Sequence, residues 1–212
     1  LRRVLDSANR VYGSSDMLVN GAVYFQQNRM ALGSPFLYSP DFIPGNIYVG
    51  NQQFEQCNLS YDIVSQELIL KTAMPNGTFM PIRLDPMLVD SFTLNNQMFV
   101  SAHLLNPQLK VPYVLAINEG SGRLVAVYSK QFINTYNATS PQGKFSSTKR
   151  VLYLVSEEGL VRIRSKKDLL KQFPDKKKWM TARWSGMHVK FKNISPDQLR
   201  WLLDFKETNN NF

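Results

Sequence analysis

The chain has 212 residues, 43% hydrophobic, 12% aromatic and 19% charged, with a formal net charge of +9. That composition supplies a packed core and excludes a disordered chain. The longest uncharged run, Ser91 to Leu109, has the length of a membrane span, but Asn95, Asn96, Gln97, His103, Asn106 and Pro107 make it a poor one, so a soluble protein with no transmembrane segment is expected.

In chain order, Leu1-Arg2-Arg3 opens the sequence without Met and without an apolar signal core, as in a trimmed or mature form whose export signal has been removed. A helical turn is expected near Asp6 to Arg10. Irregular or short extended segments follow, punctuated by Asn20-Gly21, Gly33-Ser34-Pro35 and Pro44-Gly45. From Gly45 the pattern is β. Ile47-Tyr48-Val49 leads into the tight-turn pair Gly50-Asn51, and an alternating run follows from Phe54 to Ile63. Over Cys57 to Ile63 odd positions are mostly apolar and even ones polar, which places Cys57 on the buried face. Glu67 to Thr72 is a second strand, Asn76-Gly77 the strongest hairpin turn, and Pro81 marks the next strand as an edge or a bulge.

Strands are also predicted over Ser91 to Leu94 and Gln97 to Ala102, with Asn95-Asn96 between them. Tyr113 to Ile117 and Arg123 to Tyr128 flank Gly120-Ser121-Gly122. Gln131 to Thr148 is polar, a mobile loop or an arm. Val151 to Val155 and Leu160 to Arg164 flank Glu157-Glu158-Gly159 as the last hairpin. Three helical segments are then expected. Ser165 caps the first, with Leu169, Leu170 and Phe173 as its apolar stripe. Pro174 opens the second, running toward Trp184, and Ser195-Pro196-Asp197-Gln198 opens the third, with Leu199, Leu202 and Leu203 on one face. His188 to Lys192 is predicted extended and Thr208 to Asn211 frayed. The expected fold is a single α+β domain over 1–212. It comprises an irregular segment (1–44), an antiparallel β meander as an open or partly closed barrel (45–164), and a basic helical segment packed on it (165–212).

Charge is segregated. Residues 1–143 hold nine Lys/Arg and nine Asp/Glu, whereas 144–212 hold sixteen and seven, so the whole excess lies in the C-terminal third. Lys166, Lys167, Lys176, Lys177, Lys178 and Arg183 are the candidate binding residues of a basic face for an anionic surface or partner. The plainer alternative is a solvated helical face. Trp179, Trp184 and Trp201 fall in the same third. Trp179 and Trp184 are about 140° apart around a helix, which favours core packing over a shared binding face.

Catalytic and metal signatures are sparse. One cysteine cannot form an internal disulfide, and Cys57, His103 and His188 have no zinc-site spacing. Ser146-Ser147-Thr148-Lys149 has a Ser-x-x-Lys spacing without its partner motifs and in a polar loop, and His103 has no spaced partner. No catalytic residue, metal site or cofactor is nominated. The chain also lacks a Gly-rich phosphate loop, a nucleophile elbow and a His-Glu-x-x-His.

Several stretches together resemble an uncharacterised family of exported proteins of Bacteroidetes-type bacteria. They are Asn20-Gly21 with Tyr24, Gly33-x-Pro35-Phe36-Leu37, Gly45-x-Ile47-Tyr48-x-Gly50 with Phe54, and Leu59-x-Tyr61-Asp62-Ile63. Leu152-Tyr153-Leu154, Ser165-Lys166-Lys167 with Leu169-Leu170, and Pro174-Asp175 before the lysine triplet continue the likeness. The chain departs from the pattern at Trp179 and Trp184, where Lys and Glu are expected. The resemblance implies an exported protein of the periplasm or cell surface and brings no activity or catalytic residue. It also directs attention to Asp6-Ser7-Ala8, similar to an O-glycosylation acceptor in such bacteria, with Ser7 modified. On this reading the protein is a non-enzymatic envelope binding or scaffolding module, and nucleic acid is not an expected partner because export separates it from chromosomal targets. A carrier of an apolar ligand between a curved sheet and helices is the alternative, and a carboxylate-dependent hydrolase a third reading.

Overall fold

The computed structural model describes Leu18 and residues 21–74, 76–118 and 122–205. Leu1-Arg2-Arg3, the turn near Asp6 to Arg10, Ser7, Asn20, Gly120-Ser121 and the tail from Thr208 to Asn211 lie outside the described residues. The fold is a large antiparallel β-sheet followed by C-terminal α-helices, as predicted; the sheet is a meander and does not close into a barrel. Contacts divide the chain into two compact units, Leu1–Val114 with Tyr128–Lys149, and Leu115–Val127 with Arg150–Phe212.

The first unit carries strands β1 (Ala22–Val23), β2 (Ile43–Val49), β3 (Gln52–Asp62), β4 (Glu67–Ala73), β5 (Phe79–Arg83), β6 (Ser91–Leu94) and β7 (Gln97–Ser101) in the order β1-β5-β4-β3-β2-β6-β7. Two meandering runs therefore stand back to back on β2, one through β3, β4 and β5, the other through β6 and β7. The turns follow their residues. Val49 pairs with Gln52 across Gly50, whose φ is +54°. Leu94 pairs with Gln97 across Asn95 and Asn96, both left-handed, as a tight hairpin turn requires. Around Asn76-Gly77 the Met74 carbonyl accepts from Gly77 N at 2.8 Å.

The alternation in β3 is broken by a bulge. Gly45 faces Cys57 and Ile47 faces Phe54, so Glu55 and Gln56 together oppose Asn46, with Gln56 at φ +57°. The bulge moves the inward set from Phe54 to the odd positions, of which Leu59, Tyr61 and Ile63 are fully buried. Cys57 adjoins the bulge and is half-buried rather than buried, which corrects its placement. Pro81 also fits its surroundings. Its carbonyl accepts from Tyr24 N at 2.9 Å, and N and C=O of one strand residue point the same way, so the missing donor faces the two-residue edge β1 and not β4.

The irregular N-terminal segment covers the sheet's second face. Leu68, Ile69 and Leu70 are buried in succession because Tyr24 and Phe36 pack on Ile69 from behind. Lys130 clamps that cover, donating from Nζ to the carbonyls of Ser34 (2.8 Å) and Phe36 (2.7 Å). On the other side Tyr61, Phe92, Phe99 and Tyr113 form an aromatic core, Phe92 stacked on Phe99 at 4.9 Å. The polar stretch after Gln131 is an arm, pairing β10 (Phe132–Ile133) with β11 (Lys144–Phe145). His103 lies exposed in the one-turn helix α1 (Ala102–Leu105).

The second unit holds the later half of β8 (Tyr113–Ala116), most of β9 (Arg123–Ser129) and of β12 (Lys149–Ser156), and β13 (Gly159–Ile163). Leu115 pairs with Ala126, and Ser156 with Gly159 around Glu157-Glu158. Its helices are α2 (Lys166–Gln172), α3 (Lys177–Met187) and α4 (Pro196–Leu203), with single 3-10 turns at Pro174–Lys176 and Phe191–Asn193. The caps are those expected. Ser165 Oγ accepts from Asp168 N, and Ser195 with Gln198 forms a reciprocal capping box. The predicted extended segment His188 to Lys192 is not a strand. His188 ends α3 in the left-handed conformation at φ +50°, and Phe191 begins a 3-10 turn.

Burial sets an alkaline limit on stability. It pushes the phenols of Tyr61 and Tyr113 well above their usual range, and burial with the Asp62 hydrogen bond does the same to Tyr24. It also pushes the Cys57 thiol from 9.0 up to about 11. Each raised group contributes stability that is full below its unfolded value and is lost as pH rises toward the folded one. Lys130 opposes them: burial lowers its pKa, so its contribution improves with pH. Four groups outweigh one. The urea midpoint is expected to hold through neutral pH and to fall steadily above about pH 9–10. A midpoint that rises over that interval contradicts this assignment.

Candidate cation–aromatic site on the C-terminal helices

Lys176, Trp179 and Arg183 are spaced i, i+3, i+7 along the 3-10 turn and α3, which sets them in one stripe. Phe173 ends α2 beside them, and α4 and the residues after it bring Trp201 and Phe205. The rings form a continuous chain, Phe173 to Phe205 at 5.7 Å and Phe205 to Trp179 at 5.2 Å. The cations lie against it. The Arg183 guanidinium sits between two indoles, 4.1 Å from the centre of Trp179 and 4.3 Å from that of Trp201, and Lys176 Nζ is 5.8 Å from the ring of Phe205. Arg183 Nη1 also donates to the Trp201 carbonyl at 2.6 Å. Such contacts contribute about 0.5–2 kcal/mol each and restrict long side chains that otherwise wander.

The other candidates divide. Lys166 Nζ lies 5.1 Å from the centre of Trp184, whose indole N–H donates to the Val189 carbonyl. Lys167, Lys177 and Lys178 are exposed. The tryptophans also divide. Trp184 is core, with Met180 one turn before it. Trp179 is half-buried and Trp201 is 44% exposed, so core packing holds for one of the three and the other two hold an arginine. The arginine sandwich is the feature missed from the sequence; the only signal was the i+4 spacing of Trp179 and Arg183.

Arg200 secures α4 beneath this cluster, with Nη1 on Asp197 at 2.6 Å and Nη2 on the Ala116 carbonyl at 3.1 Å. At the start of α2, Asp168 has its carboxyl held below the usual range by the backbone N–H of Arg164 and by Ser165. Asp197 is thus paired with Arg200, and Asp168 accepts at the start of α2.

Among the described residues no group of three or more His, Cys, Asp or Glu is placed to hold a metal ion, and no helix is long and apolar enough to cross a membrane. Comparison with known proteins finds no matching family model, no matching curated protein and no matching solved structure. The geometry thus defines an α+β protein whose C-terminal helices carry basic residues braced on aromatic rings.

Proposed function

We propose that this protein is an exported, non-enzymatic binding module of the bacterial cell envelope, and that its basic C-terminal helices dock on an anionic surface, the phosphate headgroups of a membrane leaflet. The observation that carries the reading is the Trp179–Arg183–Trp201 stack with its lysines. Indole rings beside cations suit the boundary between headgroups and water, where an amphipathic ring and a fixed positive charge are both accommodated. The exposed Lys167, Lys177 and Lys178 add long-range attraction, about 1 kcal/mol for each cation near an anionic leaflet. The export assignment rests on the family resemblance of the motifs from Asn20 through the lysine triplet Lys176-Lys177-Lys178.

The test is vesicle co-sedimentation of a Lys167→Gln, Lys177→Gln, Lys178→Gln triple variant. All three side chains are exposed, so folding is expected to be unaffected. Partitioning onto anionic vesicles should fall roughly a hundredfold, from about 1 kcal/mol lost at each position. Undiminished partitioning of the folded variant would remove these lysines from the proposed function.

A further inference from the structure

The turn between β4 and β5 is organised by one side chain. Asn76, Gly77 and Thr78 are all exposed. The side-chain carbonyl of Asn76 accepts twice from Thr78, from its amide at 3.0 Å and from its hydroxyl at 2.7 Å. The ring that the amide bond closes contains both Asn76 Cγ and the Gly77 nitrogen, so an electrophilic carbon and a nitrogen able to attack it are held together. Gly77, left-handed at φ +79°, has no side chain to shield that nitrogen. The chain also contains a comparison. Asn137 makes the same pair of contacts, with the Thr139 amide at 3.0 Å and hydroxyl at 2.7 Å, and it accepts further from the Ser140 amide at 2.9 Å and hydroxyl at 3.0 Å. There the residue after the asparagine is Ala138, whose methyl crowds the nitrogen.

We propose that the β4–β5 turn is a self-modification site, at which Asn76 cyclises onto the Gly77 nitrogen while Thr78 stabilises the oxyanion that forms. The Gly77 N–H leaves the Met74 carbonyl, to which it donates at 2.8 Å, and gives its proton to solvent base. The nitrogen bonds to Asn76 Cγ, and negative charge gathers on Oδ1. Both Thr78 donors are already in place there, and a hydrogen bond to an ionised acceptor is stronger than one to a neutral amide. The Cγ–Nδ2 bond then breaks, and the side-chain nitrogen leaves as ammonia with a proton from solvent. Water opens the resulting succinimide at either carbonyl, giving aspartate or isoaspartate with no oxidation or reduction. Either product adds a negative charge to the turn. Isoaspartate also lengthens the backbone between Met74 and Thr78, where the Met74 amide donates to the Thr78 carbonyl at 2.7 Å. The modification does not depend on the proposed membrane contact.

Incubation of the full chain in mildly alkaline buffer, followed by peptide mapping and enzymatic methylation of isoaspartate, tests this. Asn76 is expected to convert, and faster than Asn137. Thr78→Val should slow the conversion about three- to tenfold, the contribution of one hydrogen bond. Thr78→Ser keeps the hydroxyl and should restore the rate. A turn merely loosened by valine would free the Gly77 nitrogen and convert faster, so slowing separates oxyanion stabilisation from a structural role. Retention of the amide at Asn76, or conversion at Asn137 as fast as at Asn76, would overturn the proposal. So would a Thr78→Val rate equal to or above that of the unmodified chain, or a Thr78→Ser rate as low as that of the valine variant.

Discussion

Replacing Phe92 with alanine is expected to destabilise the first unit by about 3–5 kcal/mol, the range for deleting a fully buried aromatic ring. The ring has no solvent exposure. It lies parallel to Phe99, its cross-strand partner, with centres 4.9 Å apart, and meets the edges of Tyr113 at 5.1 Å and Tyr61 at 5.7 Å. Each of these neighbours belongs to a different strand, so the surroundings cannot collapse into the space without moving β3, β7 or β8. A urea titration of the variant measures the effect. A loss below about 1 kcal/mol would place Phe92 in a looser environment than this packing implies.

Asp62→Ala is expected to cost a comparable amount, about 3–5 kcal/mol, because hydrogen bonds to a charged acceptor contribute roughly 1.5–3 kcal/mol each. The carboxylate is 5% exposed and ends β3. One oxygen accepts from the Tyr24 hydroxyl at 2.7 Å, and the other from the amides of Val64 at 2.8 Å and Ser65 at 3.1 Å. Removing it strands a phenol and two amides and takes away the negative charge that favours the Lys130 ammonium. The N-terminal cover at Tyr24 and Phe36 should loosen with it. Hydrogen exchange at the Leu37 amide, which donates to the Tyr61 carbonyl, reports that loosening. Unchanged protection there, together with unchanged stability, would contradict the role assigned to Asp62.

Most of the strands and helix starts were legible because local chemistry decides them. Asn95-Asn96 adopts the left-handed turn that few other pairs adopt, and Ser195-Pro196-Asp197-Gln198 carries cap, first-turn proline and reciprocal Gln in four residues. What was hidden depends on partners distant in sequence. The bulge that leaves Cys57 half-buried arises from Asn46, whose side chain accepts from Gln56 N and whose own amide donates to Thr93 Oγ1. The back cover of Ile69 comes from Tyr24 and Phe36, residues without strand periodicity. His188 to Lys192 alternates like a strand, yet the Trp184 indole binds the Val189 carbonyl and stacks on Phe191, which holds the segment in a turn.

The candidate site was half legible. Charge segregation identified the C-terminal third and its lysines directly. The Arg183 sandwich was not visible, because it joins α3 to Trp201 on α4, and helical spacing alone cannot report which indole meets which cation.

Co-sedimentation of the unmodified chain with anionic and with neutral vesicles, at low and at physiological salt, tests the docking reading most directly. Binding to anionic vesicles alone, weakening steeply as salt rises, is the result expected of lysines acting through a screened field. Equal binding to both vesicle types, or none at either salt, would contradict it and leave the basic helices as a solvated face.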